Sequence, residues 1–162
     1  PSAVRYPRGE GVGVAIDSDL STIEIGKANI VREGSGVAIL NFGALLDQAL
    51  AAGEALGATV VDMRWVKPLD EAVILSLVAQ HQCLVTFEEN AIAGGAGSGV
   101  AEFLTREGVN CAIRHIGIPD AFIAHAGQGE CRQLAGLTAD AIIAAAGDAD
   151  VTVLAPQSQQ AV

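Results

Sequence analysis

The sequence is poor in aromatic residues and in charge, and each shortage constrains what the protein can be. Only 4% of the 162 residues are aromatic, so the hydrophobic core has to be built mainly from Ala, Val, Ile and Leu. Charged residues make up 17%, below the roughly 25% usual for a soluble domain. This low charge predicts a surface that is partly covered by another domain or subunit, with an alanine-rich sequence bias as the alternative explanation.

Positive charge is especially scarce, because 9 Lys and Arg stand against 19 Asp and Glu, for a formal net charge of −10. A negative field of this size argues against nucleic acid and anionic membranes as partners, since both attract basic surfaces. No apolar run reaches the roughly 18 residues of a membrane helix, and no signal peptide opens the chain. The first residue is Pro1 and not Met, so we expect the natural start to be missing.

The three cysteines, Cys83, Cys111 and Cys131, are odd in number and follow no zinc-binding spacing. Two of them lie in apolar runs, where reduced and buried thiols are the favoured interpretation. We therefore expect a cytoplasmic protein, because a reducing compartment keeps thiols free.

The pattern along the chain predicts a linker, one domain and a tail. Prolines and glycines interrupt residues 1–22, which we interpret as the end of a preceding domain plus a connection. Residues 23–148 are the predicted domain, and residues 149–162 are a predicted flexible tail.

Within the domain, apolar runs alternate with stretches of helical spacing. The runs predict four buried strands, at residues 37–41, 59–63, 84–87 and 112–116. The helices are predicted at residues 44–56, 68–80, from about 99 to 105, 129–136 and 138–146, with Gly57 as a stop and Pro68 in a first turn. This alternation is typical of an α/β fold with three αβα layers around a mostly parallel sheet.

A glycine-rich loop, residues 94–99, follows a predicted strand and precedes a helix, which is where phosphates bind in such folds. Its spacing departs from the dinucleotide fingerprint, because Val100 stands where Gly or Ala is needed, and no P-loop lysine follows. The neighbouring Glu88 and Glu89 would also repel a phosphate. We favour a tight turn that lets the helix pack closely on the sheet or on a partner.

The carboxylates Glu88 and Glu89 end a predicted strand, which is the usual edge of a site in these folds. A desolvated carboxylate could act in acid–base catalysis, but we favour hydrogen bonds to backbone N–H groups of the following loop. The histidines His81, His115 and His125 share no metal-ligand spacing and form no Ser-His-Asp pattern, so structural roles are favoured. His81 follows a helix, where a cation suits the helix dipole.

Arginines flank the dipeptide Tyr6-Pro7 in an otherwise acidic chain, at positions 5 and 8. Arginine suits phosphate, because its planar guanidinium donates two parallel hydrogen bonds. A solvated tail explains the same composition equally well.

Five groups of motifs follow one another along the chain. They are Tyr6-Pro7-Arg8-Gly9 with Ile25-Gly26-Lys27, residues 38–43, residues 61–70, residues 88–92 with 94–100, and residues 116–120. Each is modest alone, but the ordered set covers residues 4–137 and is specific. Together they resemble the 1-deoxy-D-xylulose-5-phosphate synthase family of the transketolase superfamily, whereas residues 151–162 match nothing in that family.

The resemblance implies a transferase that condenses pyruvate with D-glyceraldehyde 3-phosphate and releases carbon dioxide, for isoprenoid, thiamine and pyridoxal synthesis. It implies a homodimer that uses thiamine diphosphate and Mg²⁺, with three domains in each chain. The motifs cover the end of the second, pyrimidine-binding domain and the third domain, whose sheet is five-stranded and mostly parallel. The metal motif and the activating glutamate lie outside this sequence. The chain alone is therefore expected to be inactive, to bind no cofactor, and to have a structural, dimer-supporting role.

One functional residue of the family carries over to this sequence. The arginine of the Tyr-Pro-Arg-Gly motif, Arg8 here, is implied to bind the phosphate of D-glyceraldehyde 3-phosphate. No catalytic, cofactor-binding or metal-ligating residue is implied in this chain. Two alternatives are a stand-alone nucleotide-binding module and the C-terminal domain of a 2-oxoacid dehydrogenase β subunit. The motif at residues 6–9 and the run at 88–92 favour the synthase family.

Overall fold

In the computed structural model, residues 1–7, 13–15, 18 and 21–147 are described, and they form the predicted three-layer αβα fold. The strands are β1 (Asn29–Arg32), β2 (Gly36–Phe42), β3 (Thr59–Asp62), β4 (His81–Ala91) and β5 (Ala112–Ile118). The helices are α1 (Leu46–Leu56), α2 (Glu71–Gln80), α3 (Ala96–Arg106), α4 (Gln128–Leu134) and α5 (Ala139–Gly147). The tail predicted at residues 149–162 and the candidate Arg8 lie outside the described residues.

The five strands form one sheet in the order β1-β3-β2-β4-β5. Strands β3, β2, β4 and β5 are parallel, and β1 is antiparallel to β3 at the edge, so the sheet is mostly parallel as predicted. The chain leaves β2 toward β3 and leaves β4 toward β5, in opposite directions along the sheet. In an open α/β sheet this reversal opens a crevice at the carboxyl ends of the two strands.

The two faces of the sheet are covered by different helices. On β2, Val37 and Ile39 pack with residues of α1 and α5, whereas Ala38 and Leu40 pack with residues of α2 and α3. Successive side chains of a strand point to opposite faces, so a strand with helices on both sides is apolar at every position. This double burial explains the continuous apolar run at residues 37–40 of β2.

The ends of two helices test the predicted boundaries. Helix α1 stops at Gly57, as predicted, with a φ of 64° that glycine adopts freely. Helix α2 begins at Glu71, and the prediction that Pro68 lies in its first turn is wrong. Asp70 sets the start instead, because its side chain accepts a hydrogen bond from the Val73 N–H at 3.3 Å. Pro68 lies before this cap and follows a cis peptide bond.

Two strands differ from the sequence-based prediction. Strand β1 has four residues that are exposed or half-buried, so its apolar pattern is too short and too weak to predict a strand. Strand β4 is longer than predicted and extends from His81 to Ala91. Its extension carries Glu88 and Glu89 inside the strand, near the carboxyl end of the sheet. No helix within the described ranges is long and apolar enough to cross a membrane.

Candidate functional site

Two adjacent carboxylates lie near the carboxyl end of β4 and are both buried. Glu88 is 2% exposed and Glu89 is 8% exposed. Neighbouring residues of a strand point to opposite faces, so the two carboxylates serve different surroundings. Glu88 faces the start of α3, and Glu89 faces α4.

Glu88 binds the N-terminus of α3. Its carboxylate accepts hydrogen bonds from the backbone N–H groups of Ala96 at 2.7 Å and Gly97 at 2.8 Å, and from Asn90 Nδ2 at 2.9 Å. The loop-fixing role predicted for this residue is confirmed. A helix N-terminus attracts one anion, and here a carboxylate of the chain already takes that place. The nucleotide-binding alternative therefore lacks its phosphate site at the glycine loop.

The glycines of this loop allow α3 to pack directly on β4 and β5. A Cβ at Gly95 would lie 2.6 Å from Glu88 Oε2, and a Cβ at Gly97 would lie 2.6 Å from His115 Nδ1. Gly99 has open space around the same position. The predicted tight turn with close helix packing is confirmed, and only part of the glycine run is needed for it.

Two of the histidines, His81 and His115, form hydrogen bonds that fit the structural roles predicted for them. His115 Nδ1 and the Thr86 hydroxyl form a hydrogen bond of 2.7 Å beneath Gly97. Burial lowers the pKa of His115, and the nearby Glu88 carboxylate acts in the opposite direction. The His81 ring is hydrogen-bonded to the Leu77 carbonyl at 2.9 Å and to Thr59 Oγ1 at 2.8 Å. His125 is exposed, and its role stays a prediction.

Glu89 is the centre of a long-range ion cluster that the sequence did not predict. Arg5 donates through Nη1 to Glu89 Oε2 at 3.3 Å and through Nη2 to the Glu89 carbonyl at 2.8 Å. Arg132 of α4 donates through Nε to Glu89 Oε1 at 2.9 Å, and its Nη2 forms an ion pair with the same oxygen at 2.8 Å. The loop-fixing role expected of Glu89 is therefore wrong, because its partners are guanidinium groups 84 and 43 residues away.

A small cavity of about 210 Å³ adjoins this cluster. Its lining includes Arg5, Pro7, Glu89, Cys131 and Arg132, together with apolar side chains. Because Glu89 accepts hydrogen bonds from both arginines, the cavity is less electropositive than its arginines alone would make it. Arg8, the predicted substrate-binding residue, follows Pro7 but lies outside the described residues.

The described residues do not fit the thiamine diphosphate and Mg²⁺ implied for a whole synthase. They contain no group of three or more His, Cys, Asp or Glu side chains able to hold a metal ion. A diphosphate at the glycine loop would meet the Glu88 carboxylate, which already holds the N–H groups of α3. The contacts of Glu88 and Glu89 hold separate chain segments together.

All three cysteines are free thiols, which agrees with the reduced state predicted for the two that lie in apolar runs. Cys83 is buried, whereas Cys111 and Cys131 are half-buried. Burial raises the pKa of the Cys83 and Cys111 thiols, which keeps both in the unreactive protonated form.

Comparison with known proteins places the domain in a family. The sequence pattern described as "Transketolase, C-terminal domain" matches residues 26–142, which extends from just before β1 into α5. The chain therefore belongs to the transketolase C-terminal domain family.

Two similar curated proteins carry the same name. The chain is 53% identical over 145 residues to 1-deoxy-D-xylulose-5-phosphate synthase of Thioalkalivibrio sulfidiphilus (strain HL-EbGR7), covering 90% of this chain and 23% of the relative. It is 55% identical over 148 residues to the synthase of Vibrio atlanticus (strain LGP32), covering 88% and 24%. The chain thus spans about a quarter of the length of these relatives, and the predicted resemblance to the synthase family is confirmed.

A solved structure shares the fold and part of the sequence. It is a split-gene transketolase described as an inactive β4 tetramer, with a TM-score of 0.74 and 32% identity. The match covers 78% of this chain and 43% of that one.

Proposed function

We propose that the chain is the C-terminal part of a 1-deoxy-D-xylulose-5-phosphate synthase. The complete enzyme condenses pyruvate with D-glyceraldehyde 3-phosphate, releases carbon dioxide, and supplies isoprenoid, thiamine and pyridoxal synthesis. The observation that carries the proposal is the identity of 53–55% to two synthases over 88–90% of the chain. The motif Tyr6-Pro7-Arg8-Gly9 and the run at residues 88–92 support it over a 2-oxoacid dehydrogenase β subunit.

In this proposal the complete enzyme is a cytoplasmic homodimer that uses thiamine diphosphate and Mg²⁺. The three free thiols support a reducing compartment. The low charge fraction of 17% supports a surface covered by another domain or subunit.

The domain itself has a structural role and is inactive alone. Support comes from the described residues, which contain neither a metal-binding group nor a free anion site at the glycine loop. The similar split-gene transketolase is described as inactive in its β4 form, which agrees with this division of labour. Catalysis then depends on diphosphate- and pyrimidine-binding domains, to which the segment before β1 leads.

Arg8 binds the phosphate of D-glyceraldehyde 3-phosphate in this proposal. The support is its place in the Tyr-Pro-Arg-Gly motif and the fit of a guanidinium to phosphate oxygens. Its neighbour Pro7 lines the cavity beside Arg5 and Arg132, so the described part of the segment that leads to Arg8 lies close to the carboxyl edge of the sheet.

The test uses the complete protein that carries this chain. With thiamine diphosphate and Mg²⁺ it should form 1-deoxy-D-xylulose 5-phosphate, and the chain alone should form none. Arg8→Ala should raise the KM for D-glyceraldehyde 3-phosphate by about 10- to 100-fold, the loss of one or more charge-assisted hydrogen bonds, and leave the KM for pyruvate within about twofold.

The matched control is Arg106→Ala, because Arg106 is an exposed arginine paired with Glu71 on the surface. It should change neither KM. An equal loss for both substrates in Arg8→Ala would contradict the assignment of Arg8, and no product from the unaltered complete protein would contradict the synthase proposal itself.

A further inference from the structure

The crevice in which an α/β sheet binds its ligands is bridged here by a side chain of the protein itself. The crevice lies between the carboxyl ends of β2 and β4, where the chain connections diverge. Gly43 follows β2, and Glu89 lies near the end of β4. The guanidinium of Arg5 contacts Glu89, and its Nη1 would lie 3.9 Å from a Cβ at Gly43. The N-terminal segment, residues 1–7, is thus attached through Arg5 at the crevice where such sheets bind their ligands.

The two arginines on Glu89 differ in burial. Arg132 is 28% exposed and contacts Oε1 through two nitrogens, which fixes the direction of the carboxylate. Arg5 is 54% exposed and takes the remaining Oε2 and the main-chain carbonyl. Glu89 is 8% exposed and Arg5 lies in an exposed segment, so Glu89 is the anchor and the N-terminal segment is the part that it holds.

The anchor lies close in sequence to the residue proposed to bind phosphate. Arg8 is three residues after Arg5, so their Cα atoms can be no more than roughly 11 Å apart. Pro7 restricts the segment further, because a proline fixes its own φ and limits the residue before it. A fixed Arg5 therefore fixes the residue that immediately precedes the Tyr-Pro-Arg-Gly motif.

We propose that Glu89 is a positioning residue: it anchors Arg5, and thereby holds the N-terminal segment so that the enzyme binds its phosphate-bearing substrate tightly. This inference rests on the proposed function and deepens it. Glu89 does not touch the substrate in this proposal, and it acts through Arg5 alone.

The experiment measures steady-state kinetics of the complete synthase with Arg5→Met, Glu89→Gln and the double variant. Each single change should raise the KM for D-glyceraldehyde 3-phosphate by about three- to fivefold, the effect of one partly exposed ion pair, while the KM for pyruvate stays within about twofold. The double variant should be no worse than the more impaired single variant, because both changes break the same attachment. Arg5→Lys should recover part of the loss, since it keeps the charge.

Glu71→Gln is the matched control, because it removes a carboxylate from an exposed pair with Arg106 and should change neither KM. Arg5→Met keeps the test valid if Glu89→Gln destabilises the domain, since Arg5 lies in an exposed segment. The inference is overturned if Arg5→Met leaves the KM for D-glyceraldehyde 3-phosphate unchanged, shifts both substrates equally, or adds its effect independently to that of Glu89→Gln.

Failure of the inference and failure of the proposed function are distinguishable. If the unaltered enzyme makes the product and Arg8→Ala raises the KM for D-glyceraldehyde 3-phosphate, the function stands. A silent Arg5→Met in that same enzyme then overturns only the positioning role. If the unaltered enzyme makes no product, both fall.

Discussion

The two sides of β4 use the same residue type in opposite ways. Glu88 is satisfied by partners no more than nine residues away in sequence, all of them uncharged donors. Glu89 is satisfied by two arginines that lie 84 and 43 residues away. The α3 side comprises Glu88, the glycine loop and His115, and its carboxylate contacts are local in sequence. The α4 side, Glu89 with Arg5 and Arg132, joins segments that are distant in the chain.

This difference has an energetic consequence. The carboxylate of Glu88 is nearly inaccessible and binds N–H groups that have no other acceptor among the described residues, so its removal leaves several buried donors unsatisfied. The arginines around Glu89 are partly exposed and can turn to water, which limits what their ion pairs contribute to folding. We therefore expect changes on the α3 side to reduce the stability of the fold most. Changes on the α4 side should affect the position of the N-terminal segment more than they affect stability.

The largest effect is expected from Gly97→Ala. The added Cβ would clash with Thr86 Oγ1 and lie 2.6 Å from His115 Nδ1, so α3 has to move away from the sheet. We expect the free energy of unfolding to fall by about 2–4 kcal/mol, the range of severe overpacking, in urea denaturation of this chain. Gly99→Ala is the control in the same helix, and it should stabilise by up to about 1 kcal/mol because nothing lies near its Cβ. Equal effects of the two changes would contradict the close packing.

Glu88→Gln should have the next largest effect. All three groups bound to the carboxylate are donors, so the new amide NH₂ finds no acceptor among them. The loss of charge at the helix N-terminus adds to this, and we expect a cost of about 2–3 kcal/mol. Glu102→Gln, an exposed carboxylate on α3, is the control and should stay within about 0.5 kcal/mol of the unaltered chain. If Glu88→Gln costs no more than Glu102→Gln, the hydrogen bonds of Glu88 to the N-terminus of α3 do not stabilise the fold.

The same contrast explains how much could be predicted from sequence. The tight turn at residues 94–99 and the cap by Glu88 were predictable, because every group involved lies within one strand–loop–helix unit. The alternation of apolar runs and helical spacing predicted the layered fold for the same reason. These features depend on local spacing, which a single sequence displays directly.

The remaining features depend on which segments the fold brings together. Nothing in the spacing of Arg5 and Arg132 indicates that both meet Glu89, since strand order decides that contact. Strand β1 was missed because a short, half-exposed edge strand has no strong pattern. The start of α2 was misplaced because Pro68 suggested a first turn, while Asp70 two residues later supplies the cap. An acidic residue before an apolar run is a signal that could have corrected it.

Arg132→Met should have a smaller effect on stability than either change on the α3 side. It removes the guanidinium that orients Glu89 and leaves that carboxylate with Arg5, which is 54% exposed. We expect a cost of about 1 kcal/mol in urea denaturation, because the pair is only partly buried. Arg106→Met, which breaks an exposed pair with Glu71, should cost no more than about 0.5 kcal/mol. A cost for Arg132→Met as large as that for Glu88→Gln would remove the proposed difference between the two sides.

The smallest expected effect is a pH dependence that belongs to the α3 side alone. Burial lowers the pKa of His115 below its ordinary value of 6.5, so the folded chain holds fewer protons at this residue than the unfolded chain does. Stability from His115 is therefore present above pH 6.5 and is lost as the pH falls toward the lowered pKa. Glu88 acts in the opposite direction and keeps the effect small.

Urea denaturation at about pH 7.5 and about pH 5.5 measures this dependence. His115→Gln should lose less stability on acidification than the unaltered chain, by under about 1 kcal/mol, since the ring is half-exposed and partly screened. His125→Gln should keep the full dependence, because His125 is exposed and far from Glu88 in sequence. If His115→Gln and the unaltered chain lose the same amount, His115 does not titrate as a buried group. The hydrogen bond with Thr86 would then position the ring without linking the fold to pH.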